Sequence, residues 1–264
     1  MLMFVVCWGH IPICAQEQEG QEQVRNWNVM IGAGGGIVPK YSGSDEYKGI
    51  LLPVIMAQYR LGRFEAFVAT EDGAGLRVTP SDSVPLSIAA GINMGSGRDH
   101  DATDLLEGTP DLDNPLQVFG SVAVGGLSAT LRYFPITADY DGQPDQDYDG
   151  MVVDVDWECG WWLREFFLLN FGAGLTWMNS EYAEAHYSVL APTARLDEYQ
   201  AEQGIHDVHS SVGAMLMFSE RIGMGIMTEL SYLTGDAGES PLTEEAFQVS
   251  IRSKTRGACT PIVG

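Results

Sequence analysis

The stretch DQDYDGMVVDVDWECGW, Asp145 to Trp161, can be read as either of two incompatible structures. Its first half spaces carboxylates as a calcium loop does, with Asp145, Asp147 and Asp149 at alternate positions, Gly150 for the sharp turn and an acid at the twelfth place, Asp156. Its second half alternates. Met151, Val153, Val155, Trp157, Cys159 and Trp161 fall on one side, and Val152, Asp154, Asp156, Glu158 and Gly160 on the other. A helix would scatter these around its circumference, whereas a strand puts three carboxylates opposite two tryptophans. The calcium motif also needs a helix on each flank. TADYDGQP on its N-terminal side carries Gly142 and Pro144, and the residues on its C-terminal side have period two, so the stretch reads as a loop entering a β-strand.

Working outward, the same period recurs. Leu86, Ile88, Ala90, Ile92 and Met94 alternate with small or polar residues, as do Phe167 to Trp177, Val208 to Phe218 and Ile222 to Tyr232. A first strand starts at Trp27, and weaker segments lie near 50–60, 63–70, 73–79, 116–124, 127–134 and 246–252. About twelve strands result, an even number that suits an up-and-down barrel. Long connections near 35–49, 96–114, 135–149, 178–207 and 233–245 alternate with short turns at 60–63, 81–84, 125–126, 163–166 and 219–222. The short EDG at 71–73 is the exception on the long-loop rim. A soluble β-sandwich gives the same alternation. The polar face decides between them: Gly, Ser, Asn, Thr, Asp and Glu suit a narrow hydrated lumen, and Trp and Phe near strand ends suit a lipid interface. The expected fold class is therefore all-β, a transmembrane antiparallel up-and-down barrel of about twelve strands.

Composition agrees. The 264 residues are 45% hydrophobic with 31 Gly and 10% aromatics, which excludes a disordered chain. Only 14 Lys and Arg stand against 36 Asp and Glu, so no nucleic-acid partner is expected. No run of 18 apolar residues crosses a bilayer as a helix, but barrel strands need only about 9–11 residues. The apolar run MLMFVVCWGHIPICAQ reads as an export signal over residues 1–15. The barrel is expected over 26–252, and 253–264 form an atypical tail.

Few residues invite chemistry. His209 and Ser210 suggest a hydrolase, yet neighbours on a strand point to opposite faces and cannot pair. The glycine run GAGGG at 32–36 lacks the Lys and Ser/Thr of a phosphate loop and reads as a crowded strand end. The acidic loops GRDHDATDLLEGTPDLDN and ADYDGQPDQDYDG could collect divalent cations at the cell surface, although charge-rich loops are usually just solvated. No catalytic, cofactor-binding or metal residues are assigned.

The most specific segment is VPKYSGSDEYKGILLPVIMAQY, with Pro39, Tyr41, Gly43, Ser44, Asp45 and Tyr47, then Pro53 and Tyr59. LTWMNSEYAEAHYSV comes next at 175–189, carrying Trp177, Ser180, Tyr182, Tyr187 and Val189, and LSYLTGDAGESPLT at 230–243 carries Gly235, Asp236, Ser240 and Pro241. Together these resemble the MipA/OmpV family of Gram-negative outer-membrane proteins. The resemblance implies residence in outer-membrane lipid and a non-enzymatic scaffold in murein maintenance. The partners it implies are a murein lytic transglycosylase and a penicillin-binding protein. A small-solute channel or a surface receptor or adhesin is the alternative. The tail RSKTRGACTPIVG departs from the family's aromatic-ended last strand, and is expected to leave that strand short and its pairing with the first incomplete.

Overall fold

In the computed structural model, residues 5–6, 26–81, 84–139, 145–219 and 222–257 are described. Twelve strands form one meander: β1 Trp27–Pro39, β2 Tyr47–Leu61, β3 Phe64–Ala69, β4 Gly73–Val78, β5 Leu86–Met94 and β6 Leu116–Val124. They continue as β7 Leu127–Asp139, β8 Gln146–Arg164, β9 Phe167–Met178, β10 Gly204–Met217, β11 Gly223–Leu233 and β12 Phe247–Gly257. Each pairs antiparallel with the next, and β12 pairs with β1 from Ile251↔Ile37 to Gly257↔Ile31, which closes the barrel. Closure leaves no open edge along the lipid face at that seam.

The stretch Asp145–Trp161 is strand from Gln146 onward, so the calcium loop does not form. Asp147 accepts from the Thr137 hydroxyl at 3.0 Å, and Asp149 accepts from the Tyr133 hydroxyl across the same pair of strands. Alternation then sorts the side chains: Asp154 is 5% exposed toward the interior, while its neighbour Val155 is 36% exposed on the outer face.

A row of paired residues shows how the strands tilt. It runs Trp27, Tyr59, Ala66, Leu76, Ala90, Gly120, Leu131, Val153, Trp177, from the start of β1 to the far end of β9. A closed barrel needs this stagger. The outer surface between the rims is apolar, with Ile31, Leu76, Val122 and Ile226 all exposed, and aromatics sit at its margins. Trp27 packs on Tyr59 at 4.7 Å near one rim, and Tyr133, Trp177 and Tyr232 lie near the other. Such a belt between aromatic girdles is the lipid contact of an outer-membrane barrel.

The lumen is polar and tied together. Arg132 on β7 forms an ion pair with Asp154 on β8, which also accepts from the Thr176 hydroxyl of β9 at 3.0 Å. Arg77 and Arg60 flank Glu65, each at 2.7 Å. Removing one member of the first pair strands the other: Asp154→Ala is expected to destabilise the barrel by about 2 kcal/mol, the low end because Arg132 keeps some solvent. The midpoint of the heat-dependent gel shift measures it.

Three expectations change. GAGGG is not a strand end, because Gly34, Gly35 and Gly36 lie inside β1 and pair on both sides. Glycine carries no side chain to display the alternation, so the strand was invisible there. β7 extends to Asp139 and β8 begins at Gln146, which shortens the expected loop at 135–149. The last strand does not stop at 252: it continues to Gly257 and pairs with β1 over that length. Polar and basic letters there concealed ordinary backbone pairing. Of the segment 1–15, only Val5–Val6 are described, bridging to Trp161 and Gly160 where β8 runs past β7. The export-signal expectation otherwise lies outside the described residues, as do the chain's last seven residues, 258–264.

Candidate functional site

One rim carries short turns, such as 62–63, 125–126 and 165–166, and the other carries the long loops. Four of these, 40–46, 95–115, 179–203 and 234–246, fold inward over the mouth and pack on one another. Tyr41, Leu106, Val189, Leu196 and Leu242 form a small apolar core from four different loops. Burial of this kind makes a lid rather than a set of solvated loops.

The largest loop contains α1, Ser180–Tyr187. Asn179 caps it, accepting from the Tyr182 N–H at 2.9 Å. The same side chain accepts from Met151 N–H at 2.9 Å and donates to Asp149 O at 3.0 Å, which fastens the helix start to β8. Tyr182 then stacks on His186 with ring centroids 4.1 Å apart and lies 5.5 Å from Phe134. Burial pushes Tyr182 up to about 12. Burial, with the Arg98 guanidinium nearby, pushes His186 down to about 3, so it is neutral in the folded lid. Arg98 donates to the His186 carbonyl at 2.6 Å.

Tyr187, 1% exposed, is where the lid meets the barrel. Its hydroxyl lies 2.8 Å from Ser42 Oγ and 2.6 Å from His206 Nε2, and its carbonyl accepts from Ser240 Oγ at 2.6 Å. The chain of contacts continues down the wall. His206 Nδ1 lies 2.5 Å from Asp207, Asp207 lies 2.7 Å from His209 Nδ1, and His209 Nε2 lies 2.7 Å from Asp156. A register shift opposite Thr176 and Trp177 makes His206 the extra residue of a bulge, which lets it share the lumen with Asp207. Ser210 faces out, paired with Ala173 and Leu230, so it does not meet His209. With every member between Ser42 and Asp156 engaged on both sides, this relay is suited to holding the lid down.

The motif positions fall mostly within this lid. Pro39 ends β1 opposite Tyr47. Tyr41 donates to Leu242 O and to Glu244, each at 3.1 Å, and burial raises its pKa. Gly43 has φ 104, and its carbonyl accepts from the N–H groups of Glu244 and Glu245. A side chain there would be strained by the backbone and would meet Thr243. Ser44, fully buried, accepts from Glu46 N–H at 3.1 Å, and its carbonyl takes the Gln248 amide at 3.2 Å. Asp45 is exposed at the loop tip. Gly235 begins the short helix α2, Gly235–Glu239, and Asp236 accepts from Glu202 N–H at 2.6 Å. Ser240 ties to Tyr187, with Pro241 leading into buried Leu242. Trp177 is apart from them on the outer face of β9, an interfacial anchor.

His206, Asp207, Arg98 and Asn179 escaped the sequence reading. A bulge breaks period two, and the contacts of Arg98 and Asn179 link segments far apart in the chain. Among the described residues, no three His, Cys, Asp or Glu side chains come together as a metal-binding group. In the first acidic loop Asp111 instead accepts from the His100 backbone N–H at 2.5 Å and lies 2.7 Å from its ring. Part of the second loop, 140–144, lies outside the described residues.

A family model described as MltA-interacting protein MipA matches residues 31–254. No match is found among curated proteins. Similar solved structures include the translocator domain of the autotransporter NalP from Neisseria meningitidis, at 12% identity over 90% of each chain with a TM-score of 0.45. The NanC porin is similar at 12% identity over 87% of this chain and 99% of that one, with a TM-score of 0.40. OmpT of Vibrio cholerae is similar at 10% identity, with a TM-score of 0.33, the match covering 78% of this chain and 65% of that one.

Proposed function

The chain belongs to the MltA-interacting protein MipA family and is an outer-membrane barrel; from that premise, we propose that it is a non-enzymatic scaffold that holds murein-processing enzymes at the membrane. The family description supports this reading, since it names an interaction with MltA, and we take a murein lytic transglycosylase as the first partner; the penicillin-binding protein, as the second, rests on the sequence resemblance alone. The lid supports it. Four loops whose contacts are made to one another and to the lumen wall suit a shut barrel better than a conduit for solutes. On this reading the relay from Ser42 to Asp156 is a tie holding that lid, and not a catalytic group.

Immobilising the folded barrel in detergent and passing purified lytic transglycosylase and penicillin-binding protein over it tests the proposal. Retention of either by the folded barrel, and by none of an unrelated barrel of similar charge, is the expected result. Loss of retention in both arms, with the barrel shown to be folded by its gel shift, would overturn it.

A further inference from the structure

The barrel wall is uneven in height. The β3–β4 hairpin ends at Thr70–Asp72, level with Ile55 of β2, where the Ile55 N–H donates to Thr70 Oγ1 and the Thr70 N–H donates to Ile55 O, both at 3.0 Å. From there up to Tyr47, β2 pairs with β1 on one side and with no strand on the other, among the described residues. Both backbone groups of Ile55 face the hairpin, so by alternation those of Pro53, Leu51 and Gly49 face the gap above it. Proline at 53 removes one donor from that edge. The stretch from Ile55 to Tyr47 rises roughly 20 Å along the barrel axis at ordinary strand tilts, so the gap opens within the height of the apolar belt.

From Ile50 to Ile55 both faces of β2 are apolar. Leu51, 90% exposed, Pro53 and Ile55 look outward, while Ile50, Leu52 and Val54 look into a lumen that elsewhere carries Asn, Gln, Ser and Asp. Beside them on β1 stand Gly32, Gly34 and Gly36, and the paired row Ile50, Gly36, Arg252 brings in an arginine from β12. With no side chains on the glycines, an open cavity lies here, lined by Met30, Leu52, Val54, Met56 and Arg252 and reaching the hairpin tip. Arg252 lines this cavity and also a second one with Glu158 and Asn170, and its buried Nε is without a hydrogen-bond partner. Such an atom is costly unless something occupies it.

We propose that the gap is a lateral portal, and the cavity a binding site, for a single-chain anionic amphiphile of the fatty-carboxylate class. The acyl chain lies along Ile50, Leu52 and Val54, and the carboxylate meets the Arg252 guanidinium. The portal joins the cavity to the apolar belt directly. Glu71 and Asp72 at the mouth disfavour an anionic head there, which places the head inside at Arg252. The proposal is independent of which protein partners the barrel binds.

Photo-crosslinking tests it, using the full chain folded in zwitterionic phosphatidylcholine nanodiscs with palmitic acid bearing a diazirine on its chain, and hexadecanol bearing the same group. Palmitate is expected to label the segment 47–56, to be displaced by unlabelled palmitate, and to be held about tenfold more weakly by Arg252→Met. Hexadecanol labelling should not be competed. Val54→Trp, which fills the cavity while keeping Arg252, should also abolish the competed labelling. Labelling spread evenly around the lipid-facing residues of all strands and unchanged by either variant would reduce the contact to annular lipid and overturn the proposal. If either variant fails the heat-dependent gel shift, the map on the unmodified protein decides alone.

Discussion

Replacing Tyr187 by alanine is expected to turn a silent barrel into a conducting one. Tyr187 is 1% exposed and joins three loops to the lumen wall, through Ser42, Ser240 and His206. Truncating a fully buried aromatic costs about 3–5 kcal/mol, and the His206 imidazole loses the hydroxyl that it meets. A lid built from small clusters does not have that reserve. In planar bilayers the unmodified protein should show no steady current, and Tyr187→Ala should show openings. Tyr187→Phe separates packing from hydrogen bonding. It keeps the ring and loses only the two hydroxyl contacts, about 1–3 kcal/mol, so its lid should stay mostly shut. Each variant must first show the gel shift of a folded barrel. If Tyr187→Ala is as silent as the parent, the lid is not the seal, and the case against a channel weakens with it.

The sequence revealed the wall far better than the lid, for physical reasons. Alternation survives wherever one face meets lipid, so Val153, Val155 and Trp157 announced β8 even beside a plausible calcium loop. It fails where side chains are absent, as at Gly34 to Gly36, and where a bulge puts His206 and Asp207 on one side. The lid is held by contacts such as Tyr41 with Leu242, 201 residues apart, and no local pattern encodes a contact of that span. One sign was available. Loops that are merely solvated do not need Leu106, Leu196 and Leu242, and all three are buried. The motif residues were found by resemblance, and the packing of Tyr41, Gly43, Ser44 and Ser240 gives a physical reason why those residue types stand there.

Ending the chain after Arg252 is expected to abolish the folded barrel. Seven residues of β12 pair with β1, Ile251 through Gly257, and the truncation keeps two of them. About five backbone groups of β1 would then lose their partners, in addition to the edge that β2 already leaves open above the hairpin, at several kcal/mol in all. That is a large part of the roughly 5–15 kcal/mol that stabilises an ordinary folded domain. Gly36→Val approaches the same seam from the other side. A Cβ at Gly36 would meet Ile251 O and come within 3.1 Å of Arg252 Cα, so the closing strand must move away or the pairing must break. Boiled and unboiled samples from isolated membranes, run side by side, should differ in mobility for the parent and should not differ for either variant. Protease added to intact membranes should degrade both. A truncated chain that still shifted on boiling would mean that the polar segment Ser253–Gly257 pairs in the barrel without being needed to close it, and that the seam is held by Phe247 to Arg252 and the lid above them.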